Sequence, residues 1–185
     1  VDEATDDQVM RRVSGGDLDS LRILFGRYER RLLAYFSRLT GDRPASEDMV
    51  QEVFLRVLKF RKSFRDPGEF APWIYTIARN VNLDRLRRGG ATDQLAEGEA
   101  GIPAEGPSPA EEVERSQEAA LLHRALARLS LDKREVLILS RFQDLRYEQI
   151  ASVLGIEVGT VKTRVHRAIR QLRDFYTEMA EVRTP

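Results

Sequence analysis

The chain has 185 residues, of which 42% are hydrophobic and 32% charged, with 30 basic and 30 acidic side chains and no cysteine. This length holds one medium domain or two small ones, and the lack of cysteine excludes disulfides and thiolate metal sites and fits a reducing, cytoplasmic compartment. No apolar run approaches ~18 residues and the opening VDEATDD is acidic and polar, so neither membrane insertion nor a signal peptide is expected.

In chain order, Val9, Met10 and Val13 start a short helix closed by Ser14-Gly15-Gly16. Leu18, Leu21, Phe25, Tyr28, Leu32, Leu33, Phe36 and Leu39 keep helical period up to Gly41. Ser46 is the expected cap of the next helix, with Glu47 and Asp48 in its first turn and a core stripe of Met49, Val50, Val53, Phe54, Val57 and Leu58. A basic, turn-rich segment, Lys59–Gly68, leads to a helix that starts near Pro72 and runs to Gly89. Helices are then expected at about Glu111–Leu129 and Lys133–Phe142, followed by a helix-turn-helix. No alternating strand pattern of useful length occurs, so the fold class is all-α.

The net charge of zero hides a partition. Residues 1–88 carry 17 basic and 14 acidic side chains, residues 89–114 none basic and seven acidic, and residues 115–185 13 basic and nine acidic. Two mildly basic modules are joined by an acidic tether. The tether, with five of the 12 glycines and three of the seven prolines, lacks the apolar surface to offset its ordering entropy and is expected to be flexible. Its span reaches at most roughly 90 Å at ~3.5 Å per residue, enough for the modules to dock at separate places on one large partner.

The most telling stretch is Tyr147–Arg173. Ala151, Gly155 and Val161 give a small residue at a helix crossing, a glycine for a positive-φ turn and an apolar anchor on the second helix. Ile150, Leu154, Ile156, Val161, Val165, Ala168 and Leu172 form the expected buried set. The opposite face of the second helix carries Lys162, Arg164, Arg167, Arg170 and Arg173 and no acid between them. Such a helix suits the major groove and its phosphate walls.

Elsewhere spacing alone leaves alternatives open. Asp48, Gln51 and Glu52 share one helix face, which fits either a solvated surface or an Arg-rich partner. Trp73 falls on the core stripe with Ile77 and Val81. Tyr75 and Asn80 are the better candidates for contact with an unstacked strand, since Asn carries both a donor and an acceptor for a base edge. His123 and His166 are the only histidines and sit too far apart in sequence to suggest a metal pair. No phosphate loop, nucleophile elbow or paired carboxylates occur, so neither cofactor, metal, catalysis nor small-molecule substrate is expected.

The two modules together resemble the extracytoplasmic function group of bacterial sigma factors, which keeps only conserved regions 2 and 4. Ser46-Glu47-Asp48-Met49-Val50-Gln51-Glu52-Val53-Phe54-Leu55-Arg56-Val57 is similar to the region 2 helix that binds the β′ clamp helices of RNA polymerase. The run from Phe70 to Arg88, FAPWIYTIARNVNLDRLRR, resembles the helix that reads and opens the −10 element. Gly159-Thr160-Val161-Lys162-Thr163-Arg164-Val165-His166-Arg167-Ala168 resembles the region 4 recognition helix for the −35 element. The chain departs from the pattern at Leu129-Ser130-Leu131, where the family usually has Leu-Pro, at His166, and at a bulky Phe60.

The resemblance implies a region 2 domain over 1–88, a linker over 89–114 and a region 4 domain over 115–185. It implies core-polymerase contacts at Asp48, Gln51, Glu52 and Arg56. Ser63, Phe64 and Arg65 would form the loop that traps a flipped −10 base, closed by Asn80, with Tyr75, Arg79, Arg87 and Arg88 beside the strand. The implied −35 contacts are Tyr147, Lys162, Thr163, Arg164, His166, Arg167 and Arg170. The implied partners are core RNA polymerase through its β′ clamp helices and β flap, promoter DNA, and an anti-sigma factor, with the acidic tether in the nucleic-acid path inside polymerase. Two rivals make other demands. A helix-turn-helix repressor or activator would bind specific DNA as the free protein. A metal-dependent nuclease would need carboxylates closer together than seven scattered over Asp93–Glu114.

Overall fold

The structure, a computed structural model, describes residues 4–65, 69–89 and 109–181, with backbone alone over 109–116. Helices α1 (Asp6–Ser14), α2 (Leu21–Thr40), α3 (Arg43–Phe60) and α4 (Phe70–Arg88) build the first module. Helices α5 (Pro109–Ala127), α6 (Leu131–Arg141), α7 (Tyr147–Leu154) and α8 (Val158–Glu181) build the second. No strand occurs among the described residues, as the all-α reading requires. Most of the tether lies outside the described residues; at its far end, helical backbone begins at Pro109 rather than Glu111.

Local chemistry sets the helix ends. Thr5 caps α1 in a reciprocal box with Gln8, its backbone N–H donating to Gln8 Oε1 at 2.9 Å. Gly41 ends α2 at φ 70°, donating to Ser37, the left-handed conformation that glycine adopts without a Cβ penalty. The expected cap at Ser46 is corrected: α3 starts at Arg43 behind Asp42, whose carboxylate accepts from Ala45 N at 3.0 Å. Ser46 is buried inside the helix and returns its hydroxyl to Asp42 O. Asp and Ser are comparable caps, and Pro44 fits the first turn that starts here. Helix α4 has no side-chain cap of its own; Asp7 of α1 accepts from Phe70 N at 2.6 Å and so fixes α1 against the start of α4.

An aromatic column stacks through the first module. Tyr28 meets Phe70 edge-on at 5.1 Å, Tyr35 meets Tyr75 at 5.5 Å, and all four are essentially inaccessible to water. The column does not stop at the module boundary. Val136, Ile138, Leu139, Leu145, Ile150 and Val165 of the second module belong to the same apolar cluster. A smaller cluster of Leu126, Leu129, Leu137 and Ala168 seats α5 on α6 and α8. The two modules, expected as separate bodies, share one core.

Candidate nucleic-acid interface

Helices α7 and α8 form the expected helix-turn-helix. Gly155 has φ 66° and donates to Ala151 O, while Ile156 N donates to the same carbonyl at 3.1 Å. The chain thus reverses at the residue with the least steric cost. Val161, Val165 and Ala168 of α8 are buried, as are Ile150 and Leu154 of α7, and Leu172 packs at the edge of the smaller cluster. Lys162, Thr163, His166, Arg167 and Arg170 project into solvent. Arg164 is half-buried, with Asp132 at 3.9 Å, and Thr163 Oγ1 donates to Gly159 O at 3.0 Å. Tyr147 is half-buried against the core at the start of α7. Helix α8 therefore presents four long cationic or imidazole side chains on one face and is anchored by its other face.

The candidate strand pocket lies between the 3₁₀ turn Arg61–Ser63 and α4. Phe64 is only 8% exposed, plugged against Trp73 at 5.4 Å and Phe70 at 6.3 Å. Ser63, Arg65 and Asn80 are exposed, as are Arg87 and Arg88 at the end of α4. One expectation is corrected: Tyr75, expected to touch the strand, has 0% exposure and donates its hydroxyl to Gln143. Trp73, expected on the core stripe, packs against the core beside Phe64 and Phe70 and is partly exposed. Neighbours on a helix face turn by about 100° per residue, and the aromatic column claims the face on which Tyr75 lies. Arg79 pairs with Glu135 of α6 at 3.4 Å instead of standing open to phosphate.

On α3, Asp48 and Gln51 are exposed and Glu52 half-buried. Arg56 is held between Glu52 at 2.7 Å and Asp84 of α4 at 2.8 Å, and its hydrogen bond draws the Asp84 carboxyl below the usual range. Arg56 therefore ties α3 to α4 rather than facing outward. Leu55, one turn beyond Gln51, is 61% exposed, and beside it Phe25 packs on Phe54 at 4.8 Å. Asp48, Gln51 and Leu55 thus form an exposed apolar and acidic stripe, whose apolar part periodicity alone did not single out because Leu55 lies off the core stripe.

Reading the sequence also missed the contacts that cross between modules. Glu69 accepts from Arg146, and from Gln149 at 2.9 Å. Glu135 accepts from Tyr35 at 2.9 Å as well as pairing with Arg79; burial raises its pKa although both partners pull it down. Arg134, 3% exposed, donates to the carbonyls of Leu126, Ala127 and Leu129 and to Leu39 O of α2 at 2.7 Å. Those that cross between modules join residues 56 to 100 positions apart, beyond the reach of helical period. Among the described residues no helix is long and apolar enough to cross a membrane, and no His, Cys, Asp or Glu group could hold a metal ion.

Comparison with known proteins matches residues 24–92 to Sigma-70 region 2 and residues 119–172 to Sigma-70 region 4. The chain is 35% identical to the ECF RNA polymerase sigma factor SigL of Mycobacterium tuberculosis, covering 94% of this chain and all of that protein. It is 38% identical to SigE of Mycolicibacterium smegmatis, over 77% of this chain and 55% of that longer protein. The sigma factor RpoE of Bartonella quintana, solved with the anti-sigma factor NepR, superposes with a TM-score of 0.71 at 26% identity, over 85% of this chain and 96% of that one. CnrH, solved with the cytosolic domain of CnrY, shares the fold at a TM-score of 0.70 and 19% identity, over 97% and 99% of the two chains. Two matched regions in the right order, with helices and turn where they require them, place this chain in the extracytoplasmic function group of bacterial RNA polymerase sigma factors.

Proposed function

We propose that this sigma factor reads a −35 element through the outer face of α8 and captures a −10 base in the groove beside Ser63, Phe64 and Trp73, with Asn80 exposed farther along α4, while α3 holds core polymerase. The observation that carries the reading is α8 itself: Lys162, His166, Arg167 and Arg170 exposed on the face opposite buried Val161, Val165 and Ala168. Arg167 and Lys162 can donate to guanine O6 and N7, and Thr163 can meet a thymine methyl. Arg164 and Tyr147 suit the phosphate backbone. Asp48, Gln51 and the apolar Leu55 suit the β′ clamp helices; Glu52 and Arg56 shape that surface from behind.

The functional boundaries that follow are a promoter-melting module over 1–88, a linker over 89–114 and a −35 module over 115–185, acting in the cytoplasm. The chain supplies specificity and the polymerase supplies catalysis. An anti-sigma partner is supported by the solved complex of a similar protein, RpoE, with the anti-sigma factor NepR. Run-off transcription with purified core polymerase, with start sites mapped across a genomic library, tests the reading. Starts preceded at a constant spacing by two shared sequence elements are expected. Initiation independent of the added chain would sink it.

A further inference from the structure

Of the basic side chains from Lys162 to Arg170 on α8, Arg164 alone faces a carboxylate among the described residues. Its Nη1 lies 3.9 Å from Asp132 Oδ2 in the first turn of α6, and the two side chains are 35% and 54% exposed. An ion pair this long and this open to water is weak. Asp132 is fixed by other means. Ser130 Oγ donates to its Oδ1 at 2.7 Å, a bond that the proline usual at this point of the family pattern has no side-chain donor to make. The Ser130 hydroxyl first, and Arg164 after it, hold the Asp132 carboxyl below the usual range, so it stays charged at neutral pH. Beside it, Lys133 Nζ donates to Gln171 Oε1 at 2.9 Å and pins the same turn of α6 against α8.

Arg164 is the side chain assigned above to the phosphate backbone. A duplex seated on the outer face of α8 brings a phosphate toward a guanidinium that a fixed carboxylate already attracts. That carboxylate repels the phosphate as well, and its bond to Ser130 keeps it from turning away. Lys162, Arg167 and Arg170 have no such rival among the described residues. Phosphate contacts carry no sequence information. Weakening one of them lowers affinity for every duplex alike and leaves the base contacts of α8 untouched.

We infer that Asp132 is a built-in brake on DNA binding by α8, which acts through Arg164 and holds down the sequence-independent part of the affinity. It is a positioning residue, since it meets DNA only through Arg164. The inference rests on the reading of α8 as the −35 reader. It adds a side chain outside α7 and α8 that sets how tightly the reader holds any duplex, and gives the departure from Leu-Pro at Ser130 a purpose.

Asp132→Asn tests it, because asparagine keeps an acceptor for Ser130 and loses only the charge. Holoenzyme assembled from the full chain and core polymerase is titrated with two promoter fragments that share a −10 element. One carries the −35 element obtained by start-site mapping and the other a scrambled version, with core polymerase alone as the baseline. The substitution should tighten binding to both fragments about two- to fivefold, the range that release of a half-exposed ion pair allows. It should also steepen the log–log salt dependence by up to ~0.9, the share of one phosphate contact. In an Arg164→Gln background the gain should vanish, and circular dichroism should show unchanged helicity in every form. Unchanged affinity in Asp132→Asn overturns the inference. So does weaker binding, which would make Asp132 a support for Arg164 rather than a rival to phosphate. A gain of full size without Arg164 overturns it too, because the charge would then act on DNA directly. These three outcomes leave the −35 reading standing as long as the unmodified chain prefers the intact element to the scrambled one. Absence of that preference removes the −35 reading, and the inference with it.

Discussion

One residue type does three kinds of work in this chain. Arg56 is spent on tying α3 to α4, Arg79 is held by Glu135, and Arg167 stands exposed on α8. The third is the arginine whose loss should register at the promoter. Arg167→Ala is expected to weaken −35 binding by about 1–3 kcal/mol and relax preference at one position if its contact is a bidentate base pair. A selection experiment over randomised −35 elements reads this directly, and an equal loss on every sequence would reassign Arg167 to phosphate. Asn80→Ala should leave core binding intact yet reduce open complexes, because a pocket for an extruded base acts only after strands separate. Permanganate reactivity of unpaired thymines near −10 measures it; undiminished reactivity would make Asn80 a bystander.

At the scale of elements, two glycines with equally open surroundings should respond in opposite senses. A Cβ at Gly155 or at Gly159 meets no atom within 4 Å, so sterics against neighbours decide nothing. Gly155 sits at φ 66° in the turn, where a side chain costs roughly 1–2 kcal/mol. Gly159 lies inside the first turn of α8, where alanine should stabilise by about 0.5–1 kcal/mol. Urea unfolding of the two variants checks the sign of each, and like signs would contradict the backbone argument. The Gly155 turn was legible in the sequence because a glycine four residues after Ala151 and six before Val161 allows few other geometries. Helix α3 was less so: its start lies three residues before the expected cap, since Asp42 and Ser46 are comparable caps and only Pro44 hints between them. Tyr75 lies deeper than Trp73 for a related reason. Both are aromatic on one helix, and which of them faces the core depends on Tyr35 and Gln143, far away in the chain.

For the molecule as a whole, one contact hidden from the sequence holds an acid whose pKa is displaced by burial. Burial raises the pKa of Glu135 even though Tyr35 and Arg79 stabilise its charge, and Asp132 adds to the rise. An acid whose pKa is higher in the packed state favours packing fully below its ordinary pKa, and loses that contribution as pH climbs through the raised value. The packed arrangement should therefore lose the Glu135 contribution as pH rises through that raised value. Urea unfolding measured over a series of pH values should show the loss in the unmodified chain. The pH dependence should vanish in Glu135→Gln, which has no proton to lose; persistence there would assign the effect to another group. Helical period could not reveal this, because it reports on residues three or four apart, and Glu135 meets Tyr35 across 100 positions.

The continuous core described above bears on how such proteins can be recombined. Modules that look independent in sequence invite exchange, one relative's −10 reader joined to another's −35 reader, on the assumption that a tether is all that unites them. Here Tyr35, Tyr75 and Arg79 on one side and Glu135 and Gln143 on the other form a matched set. A hybrid carrying this first module with a second module that lacks Glu135 and Gln143 should fold, since each half keeps its own helices and most of its own apolar packing. It should nonetheless unfold at lower urea, because Tyr35, Tyr75 and Arg79 are left without their partners. Restoring those two side chains alone in the hybrid should bring the stability back, which makes the seam, rather than either reading head, the part to design first.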